Sequence, residues 1–159
     1  MNSLLIYGAS GYTGRMAAGY AKAAGLNVIA AGRDQSKITR VATELGISSK
    51  VFSLDDEKVI DQALAGVSVI LNCAGPYHRT AKALMHASLR TGCHYLDMAA
   101  ELDSYQLAEQ LDAEAKALHL SNGDVSTFSF PEEGAIESFL TTHRMIVRLY
   151  LQLHGANQN

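Results

Sequence analysis

The residues with the clearest chemical potential are three glycines that follow a short apolar run. Gly8, Gly11 and Gly14 are spaced three apart in "LLIYGASGYTGR", between a predicted strand and a predicted helix. Glycine lets the backbone turn tightly, approach a bound group closely and pack a helix against a strand. The first turn of a helix also offers free N–H groups to an anion. The spacing therefore predicts a loop that binds the pyrophosphate of a dinucleotide, which we favour over a turn that only reverses the chain.

Hydroxyl and aromatic side chains lie within the same loop. Ser10 and Thr13 could donate hydrogen bonds to a phosphate, although Thr13 could instead cap the helix. Tyr12 is not followed by the lysine four residues later that a catalytic tyrosine–lysine pair would need. We therefore expect Tyr12 to pack against the cofactor.

The end of the second predicted strand indicates which dinucleotide would bind. NAD sites usually carry an acidic residue here for the ribose 2′-OH, whereas NADP sites supply an arginine for the 2′-phosphate. This chain has Gly32 followed by Arg33. The pair favours NADP over NAD, because glycine leaves room for the phosphate and a guanidinium can bind it with two parallel hydrogen bonds. The alternative is that Arg33 faces water and Asp34 accepts from the 2′-OH.

A second candidate segment, "NCAGPYH", leaves the fourth predicted strand at the edge where open α/β sheets bind ligands. Asn72 could bond the cofactor or hold the turn. Ala74 and Gly75 leave room beside a cofactor, and Pro76 stiffens the loop next to Tyr77. Gly-Pro is also a common chain reverser, so this segment alone fits a plain turn equally well.

Alternating apolar runs and amphipathic stretches would position these residues. This alternation is typical of parallel strands joined by crossover helices. It predicts a doubly wound, mostly parallel α/β sheet in three layers, with the fourth strand beside the first and on its far side from the second. The predicted strands are Ser3–Tyr7, Asn27–Gly32, Lys50–Leu54, Val67–Gly75 (with its exit turn) and His94–Asp97.

The predicted helices lie between and after these strands. We expect Gly25, Gly46 and Gly92 to end three of them. The predicted helices are Tyr12–Ala24, Ser36–Leu45, one capped by Asp55 or Asp56 and reaching Leu64, Thr80–Thr91, and one capped by Asp103 or Ser104 and reaching Leu118.

Composition narrows the class of protein. The 159 residues suit one domain, and 13 basic against 16 acidic residues give a net charge of −3. The charges are scattered, so we expect neither a nucleic-acid partner nor a membrane surface. Cys73 and Cys93 are too few for a disulfide framework or a metal site, and no secretory signal or membrane-length apolar run is visible. We expect a cytoplasmic protein.

Several motifs together resemble a known family. "GASGYTGR", "GR", "NCAGPY" and "HYLDMAAE", in this order, are similar to the N-terminal cofactor domain of the saccharopine dehydrogenase-like family, over residues 1–120. The resemblance implies a Rossmann domain that binds NADP or NAD for hydride transfer. It places the glycines at the pyrophosphate, Arg33 near the adenosine ribose and "NCAGPY" near the nicotinamide. Tyr95, Asp97 and Glu101 match the family's Tyr-x-Asp-x-x-Gly-Glu pattern, with Ala100 in place of the glycine.

Residues 121–159 do not match the continuation that the resemblance implies, which is a strand and then a large substrate domain. We expect a divergent tail there instead, and two hypotheses stay open. The first is an NADP-dependent oxidoreductase acting on a small molecule that the sequence does not identify. The second is a non-catalytic dinucleotide-binding or dimerisation module, with Met145–Leu153 as an edge strand that pairs two copies.

The sequence assigns no catalytic residue. His78 and His94 lie near strand ends, where histidines are more often polar loop residues than acids or bases in catalysis. Cys73 is expected to be a small buried side chain rather than a nucleophile. Asp97 and Glu101 form an acid pair at four-residue spacing, although Asp97 could simply cap the turn after its strand.

Overall fold

A computed structural model describes residues 3–99 and 101–118 of the chain. In these residues five strands alternate with five helices. The strands are β1 (Ser3–Tyr7), β2 (Asn27–Gly32), β3 (Ser48–Val51), β4 (Val69–Asn72) and β5 (His94–Asp97). The helices are α1 (Tyr12–Ala23), α2 (Gln35–Leu45), α3 (Glu57–Leu64), α4 (Tyr77–Thr91) and α5 (Leu102–Ala117).

The strands form one parallel sheet in the order β3-β2-β1-β4-β5. In its centre Ile6 of β1 lies opposite Ala30 of β2 on one side and Leu71 of β4 on the other. The strand order therefore reverses between β1 and β4, and such a reversal opens a crevice at the carboxyl edge of a sheet. The predicted doubly wound α/β fold is confirmed.

Side chains of the central strands alternate between two cores. Leu4 and Ile6 contribute to a core that also contains buried residues of α1 and α2. Leu5 and Tyr7 contribute to the opposite core, together with buried residues of α3 and α4. A strand with apolar side chains on both faces, as in Leu4–Tyr7, suits this arrangement, because helices cover both of its faces.

Local signals predicted most element boundaries. β1, β2 and β5 have the predicted bounds. Gly46 and Gly92 follow α2 and α4 in the left-handed conformation, with φ of 59° and 70°, which relieves the steric cost that a side chain would bring there. The Asp56 carboxylate accepts the Lys58 N–H at 2.8 Å and so caps α3.

The prediction for β3 was wrong in its bounds. The strand covers Ser48–Val51 rather than Lys50–Leu54, and it pairs with β2 only as far as Gly32, where β2 ends. The side chain of Phe52 is buried in the core and packs against Tyr7, with ring centroids 5.1 Å apart and the ring planes tilted by 45°. β3 begins with Ser48, Ser49 and Lys50, and such a polar sequence gives no apolar pattern from which the start of a strand could be predicted.

Two helix starts were also predicted wrongly. α4 begins at Tyr77, three residues before Thr80, and α5 begins at Leu102 with Glu101 at its N-cap position, rather than Asp103 or Ser104. The backbone carbonyl of Glu101 accepts the N–H of Ser104 at 3.1 Å and thereby starts α5.

No helix within the described part of the chain is long and apolar enough to cross a membrane. The longest, α5, has 16 residues. Ala100 and the predicted pairing strand Met145–Leu153 lie outside the described residues.

Candidate functional site

The glycine loop is packed backbone against backbone. Gly8 has a φ of 85°, and a Cβ built on it would lie 2.8 Å from the Ala74 nitrogen, which belongs to the segment after β4. A Cβ on Gly14 would collide with the Gly8 carbonyl group and would lie 2.9 Å from the Ala9 Cα. Any side chain at these two positions would therefore push α1 or the β4 exit away from the end of β1.

The loop that leads into α1 is held by hydrogen bonds between main-chain groups. The N–H groups of Gly8 and Ala9 donate to the Ala31 carbonyl, at 2.8 and 3.1 Å, and that of Gly11 donates to the Gly8 carbonyl at 3.0 Å. No side chain within residues 3–99 and 101–118 caps α1, and its first turn contains no acidic residue. The helix therefore keeps the positive end of its dipole at the carboxyl edge, where it attracts an anion.

The side chains of this loop face outward to different extents. Ser10 is exposed and Thr13 is half-buried, and Thr13 does not cap the helix. Tyr12 is 87% exposed, so its ring packs on little of the described protein. Contact of these three side chains with a cofactor stays a prediction.

Arg33 and Asp34 leave β2 with different roles. Arg33 is exposed, and its charge lowers the pKa of the Tyr7 hydroxyl against the larger effect of burial, which raises it. The Asp34 carboxylate caps α2, because its Oδ1 accepts from the Lys37 N–H at 3.1 Å and from the Ser36 hydroxyl at 2.8 Å. These hydrogen bonds also lower the pKa of Asp34. Asp34 thus already serves as a helix cap, while Arg33 presents its guanidinium to solvent.

A buried network holds the end of β4. Asn72 is 0% exposed, and its Oδ1 accepts the Ala74 N–H at 3.0 Å. Its Nδ2 donates to the hydroxyls of Thr80 and Tyr95, at 3.0 and 3.1 Å. Thr80 in turn donates to the Ala74 carbonyl at 2.8 Å. Asn72 therefore holds the turn, and its contact with a cofactor stays a prediction.

The network extends to the end of β5. The Tyr95 hydroxyl donates to Asp97 Oδ2 at 2.8 Å, and Asp97 Oδ1 accepts the Ala99 N–H at 3.1 Å. Burial raises the pKa of Asp97, and it raises that of Tyr95 well above its ordinary value. Asp97 thus caps the turn after its strand, as one of the two alternatives predicted.

Glu101 reaches back from the start of α5 to the start of α4. Its Oε1 accepts the Tyr77 N–H at 3.2 Å, and its Oε2 accepts the His78 N–H at 2.8 Å. The His78 Nδ1 lies 3.8 Å from the same Oε2. Glu101 is therefore a helix cap supplied from a distance, a role that the acid-pair interpretation missed.

The segment Ala74–Pro76, which the resemblance places near the nicotinamide, lies between Asn72 and the helix start that Glu101 caps. Ala74 is half-buried, whereas Gly75 and Pro76, joined by a cis peptide bond, are exposed. A Cβ on Gly75 would meet no atom within 4 Å among the described residues. The segment thus presents small side chains and open space at the crevice, which suits the close approach of a planar ring.

The remaining reactive groups are held in their neutral forms. Burial raises the pKa of the Cys73 thiol to about 12 and that of the Tyr77 hydroxyl to about 12, with nearby acidic groups adding to both. A thiol in this state is a poor nucleophile. The described residues contain no cluster of three or more His, Cys, Asp or Glu side chains that could bind a metal.

The sequence did not reveal the site role of Thr80, and it named Tyr95 only as part of the family's motif, not as a partner of Asn72. Tyr95 and Asp97 stand two apart on one strand, so their side chains share a face, and this was a signal available in the sequence. No comparable signal joined Thr80 to Asn72, because their bond depends on how α4 packs over the sheet.

The parallel sheet, its central reversal and the glycine-lined start of α1 together define a Rossmann-type dinucleotide-binding domain. Residues 4–122 match the family described as the saccharopine dehydrogenase NADP binding domain. The chain belongs to this family, so the resemblance predicted from its motifs is confirmed.

Two curated relatives are longer than this chain. A human saccharopine dehydrogenase-like oxidoreductase is 27% identical over 88% of this chain and 41% of its own length. A Caenorhabditis elegans lipid droplet localized protein is 26% identical over 62% of this chain and 26% of its own. The chain thus spans less than half of either relative.

Solved structures share the fold. Apo saccharopine dehydrogenase (L-Glu forming) from Saccharomyces cerevisiae superposes with a TM-score of 0.64 at 18% identity, over 76% of this chain and 26% of its own. Triphenylmethane reductase from Citrobacter sp., complexed with NADP(H), gives 0.56 at 18% identity, over 74% of this chain and 46% of its own. At these identities the superpositions show the fold alone.

Proposed function

We propose that this chain binds NADP(H) in the crevice between β1 and β4 and is the cofactor domain of an oxidoreductase. The observation that carries the proposal is the start of α1. There the backbone of the glycine loop fits so closely that a Cβ on Gly14 would collide with Gly8, and no side chain of the described residues caps the helix. Such a terminus suits a pyrophosphate.

In this proposal each part of the dinucleotide is assigned to residues along the crevice. The loop from Gly8 to Gly14 would hold the pyrophosphate, with Ser10 and Thr13 adding hydroxyl donors. Arg33 would bind the 2′-phosphate at the exit of β2. Ala74, Gly75 and Pro76 would lie beside the nicotinamide. When bound, NADPH would donate a hydride to a small substrate, or NADP+ would accept one from it, which is the chemistry of an oxidoreductase.

NADP is preferred over NAD in this proposal because of what Asp34 does. An NAD site needs a carboxylate that can accept from the ribose 2′-OH. Asp34 already accepts from Lys37 and Ser36, and its Oδ2 lies 3.5 Å from the Lys37 Nζ. Arg33 is exposed and can turn toward a 2′-phosphate. The charge at this end of the site therefore favours a phosphate.

Calorimetric titration with NADPH and, separately, NADH tests the proposal. We expect NADPH to bind more tightly than NADH. Arg33→Ala should weaken NADPH binding by about tenfold or more, the usual loss for a hydrogen bond to a charged group, and should change NADH binding little.

The matched control is Arg40→Ala, which removes an exposed arginine from α2. It should leave both affinities unchanged. A folded wild-type chain that binds neither nucleotide would refute the proposed function. Equal losses for NADPH and NADH in Arg33→Ala would refute the assignment of Arg33 to the 2′-phosphate.

A further inference from the structure

Glu101 joins the starts of two helices. Its carbonyl accepts the Ser104 N–H and so begins α5, while its carboxylate accepts the first two N–H groups of α4, those of Tyr77 and His78. The residues bonded to the carboxylate lie 24 and 23 positions earlier in the sequence. One side chain therefore fixes the distance between the exit of β4 and the exit of β5.

The Glu101 carboxylate holds the C-terminal end of the segment Ala74–Pro76, because it bonds to the N–H groups of the two residues that follow Pro76. That segment is held at its near end by Asn72, which accepts the Ala74 N–H, and it runs directly into the first turn of α4. Gly75 and Pro76 themselves are exposed. Their position therefore depends on the hydrogen bonds that Asn72 and Thr80 make to Ala74 and on the cap that Glu101 provides to α4.

The same carboxylate also decides where an anion can bind. Helix starts attract phosphate through free N–H groups and the helix dipole. In α4 these groups already bond to a carboxylate, and its negative charge repels a phosphate. The start of α1 has neither a capping side chain from the described residues nor an acid in its first turn. Of the helices that follow the central strands β1 and β4, only α1 therefore has an N-terminus suited to the pyrophosphate.

We propose that Glu101 is a positioning residue for the nicotinamide end of the cofactor: by capping α4 it holds Ala74, Gly75 and Pro76 at the crevice. The inference rests on the proposed function and deepens it. Glu101 acts through the N–H groups of Tyr77 and His78. It is therefore distinct from residues such as Arg33, which would contact the cofactor directly.

The test compares two ligands that share the adenosine end. NADPH reaches the β4 exit, whereas 2′-phospho-ADP-ribose has the 2′-phosphate and pyrophosphate but no nicotinamide. We expect Glu101→Gln to weaken NADPH binding about fivefold, in keeping with the usual energy of a helix cap, with the affinity for 2′-phospho-ADP-ribose unchanged. A purely structural role would lower both affinities together.

Glu109→Gln makes the same chemical change at an exposed position of α5 and should alter neither affinity. Hydrogen exchange of the ligand-free protein gives an independent readout, since Glu101→Gln should speed exchange at the Tyr77 and His78 amides. If Glu101→Gln does not fold, Glu101→Asp replaces it, because that carboxylate is too short to reach both N–H groups, and the same selective loss is expected.

Unchanged or equally lowered affinities for the two ligands would overturn the inference while leaving the proposed function intact. Failure of the wild-type chain to bind either ligand would overturn the proposed function, and this inference with it.

Discussion

The turns after β1 and β4 lie side by side in the sheet, yet they are built in opposite ways. After β1, glycine backbone packs on backbone, and the bonds of the turn run between main-chain groups. After β4, side chains make the turn: Asn72 and Thr80 hold its beginning, and Glu101 caps the helix that follows. One helix start is left to attract an anion, and the other is closed by a carboxylate.

The difference shows how two strand–helix units of similar layout can offer different surfaces to a ligand. Both α1 and α4 begin at the carboxyl edge of a central strand, so each could bind a phosphate through its first turn. Glu101 satisfies the first N–H groups of α4, so in the proposed complex the charged centre of the ligand is left to α1. The turn after β4 is then free to present small, uncharged surface.

The largest effect is expected where the glycine turn is tightest. In Gly14→Ala the new Cβ would collide with the Gly8 carbonyl group, and a backbone atom cannot move aside as a flexible side chain can. We expect the free energy of unfolding to fall by about 3 kcal/mol, at the upper end for overpacking, with loss of NADPH binding. Urea denaturation and calorimetry measure the two effects.

Gly19→Ala is the matched control, on the same helix. A Cβ at Gly19 meets no described atom within 4 Å, so the higher helix propensity of alanine should stabilise the chain by about 0.5–1 kcal/mol. If Gly14→Ala were as stable as Gly19→Ala, the glycine turn would not need its close backbone approach.

A smaller loss of stability is expected from breaking the side-chain network at the ends of β4 and β5. Tyr95→Phe removes the hydroxyl that donates to Asp97 and accepts from Asn72, and so it leaves two buried polar groups each short of a partner. We expect destabilisation of about 1–3 kcal/mol, measured by urea denaturation. Tyr20→Phe, at a tyrosine that is 73% exposed, should change stability by less than about 0.5 kcal/mol. Equal effects of the two substitutions would contradict the importance of the network.

The smallest effect on stability comes from making the start of α1 resemble that of α4. Tyr12→Glu places a carboxylate in the first turn of α1, where the helix dipole favours it. We expect the ligand-free chain to become more stable by about 0.3–1 kcal/mol, while NADPH binding weakens sharply because the carboxylate repels the pyrophosphate. Thermal unfolding and calorimetry test the two parts.

Tyr12→Gln is the neutral control, because it removes the same ring without adding a charge. It should lack the gain in stability, and it should weaken NADPH binding less than Tyr12→Glu does. Unimpaired NADPH binding by Tyr12→Glu would show that the pyrophosphate lies elsewhere.

Predictions from the sequence were most accurate where the cause was local. A run such as "SLLIY" predicts a strand buried on both faces. The position before an amphipathic stretch marked Asp55 or Asp56 as a helix cap, and the structure shows that it is Asp56. The bounds of β3 were missed because they depend on where its partner β2 ends. The start of α4 was missed because its cap comes from Glu101, beyond the next strand.

The sequence by itself therefore determined the order of the elements, the position of the glycine loop and the charge at the exit of β2, since each follows from neighbouring residues. Only the tertiary structure decided which helix start is closed and which is left open. The pairing of β4 with β5 brings Tyr95 to Asn72 and Glu101 to His78, contacts that span 23 positions each. The two residues of each contact become neighbours only when the sheet assembles, so no local sequence pattern could specify the contact.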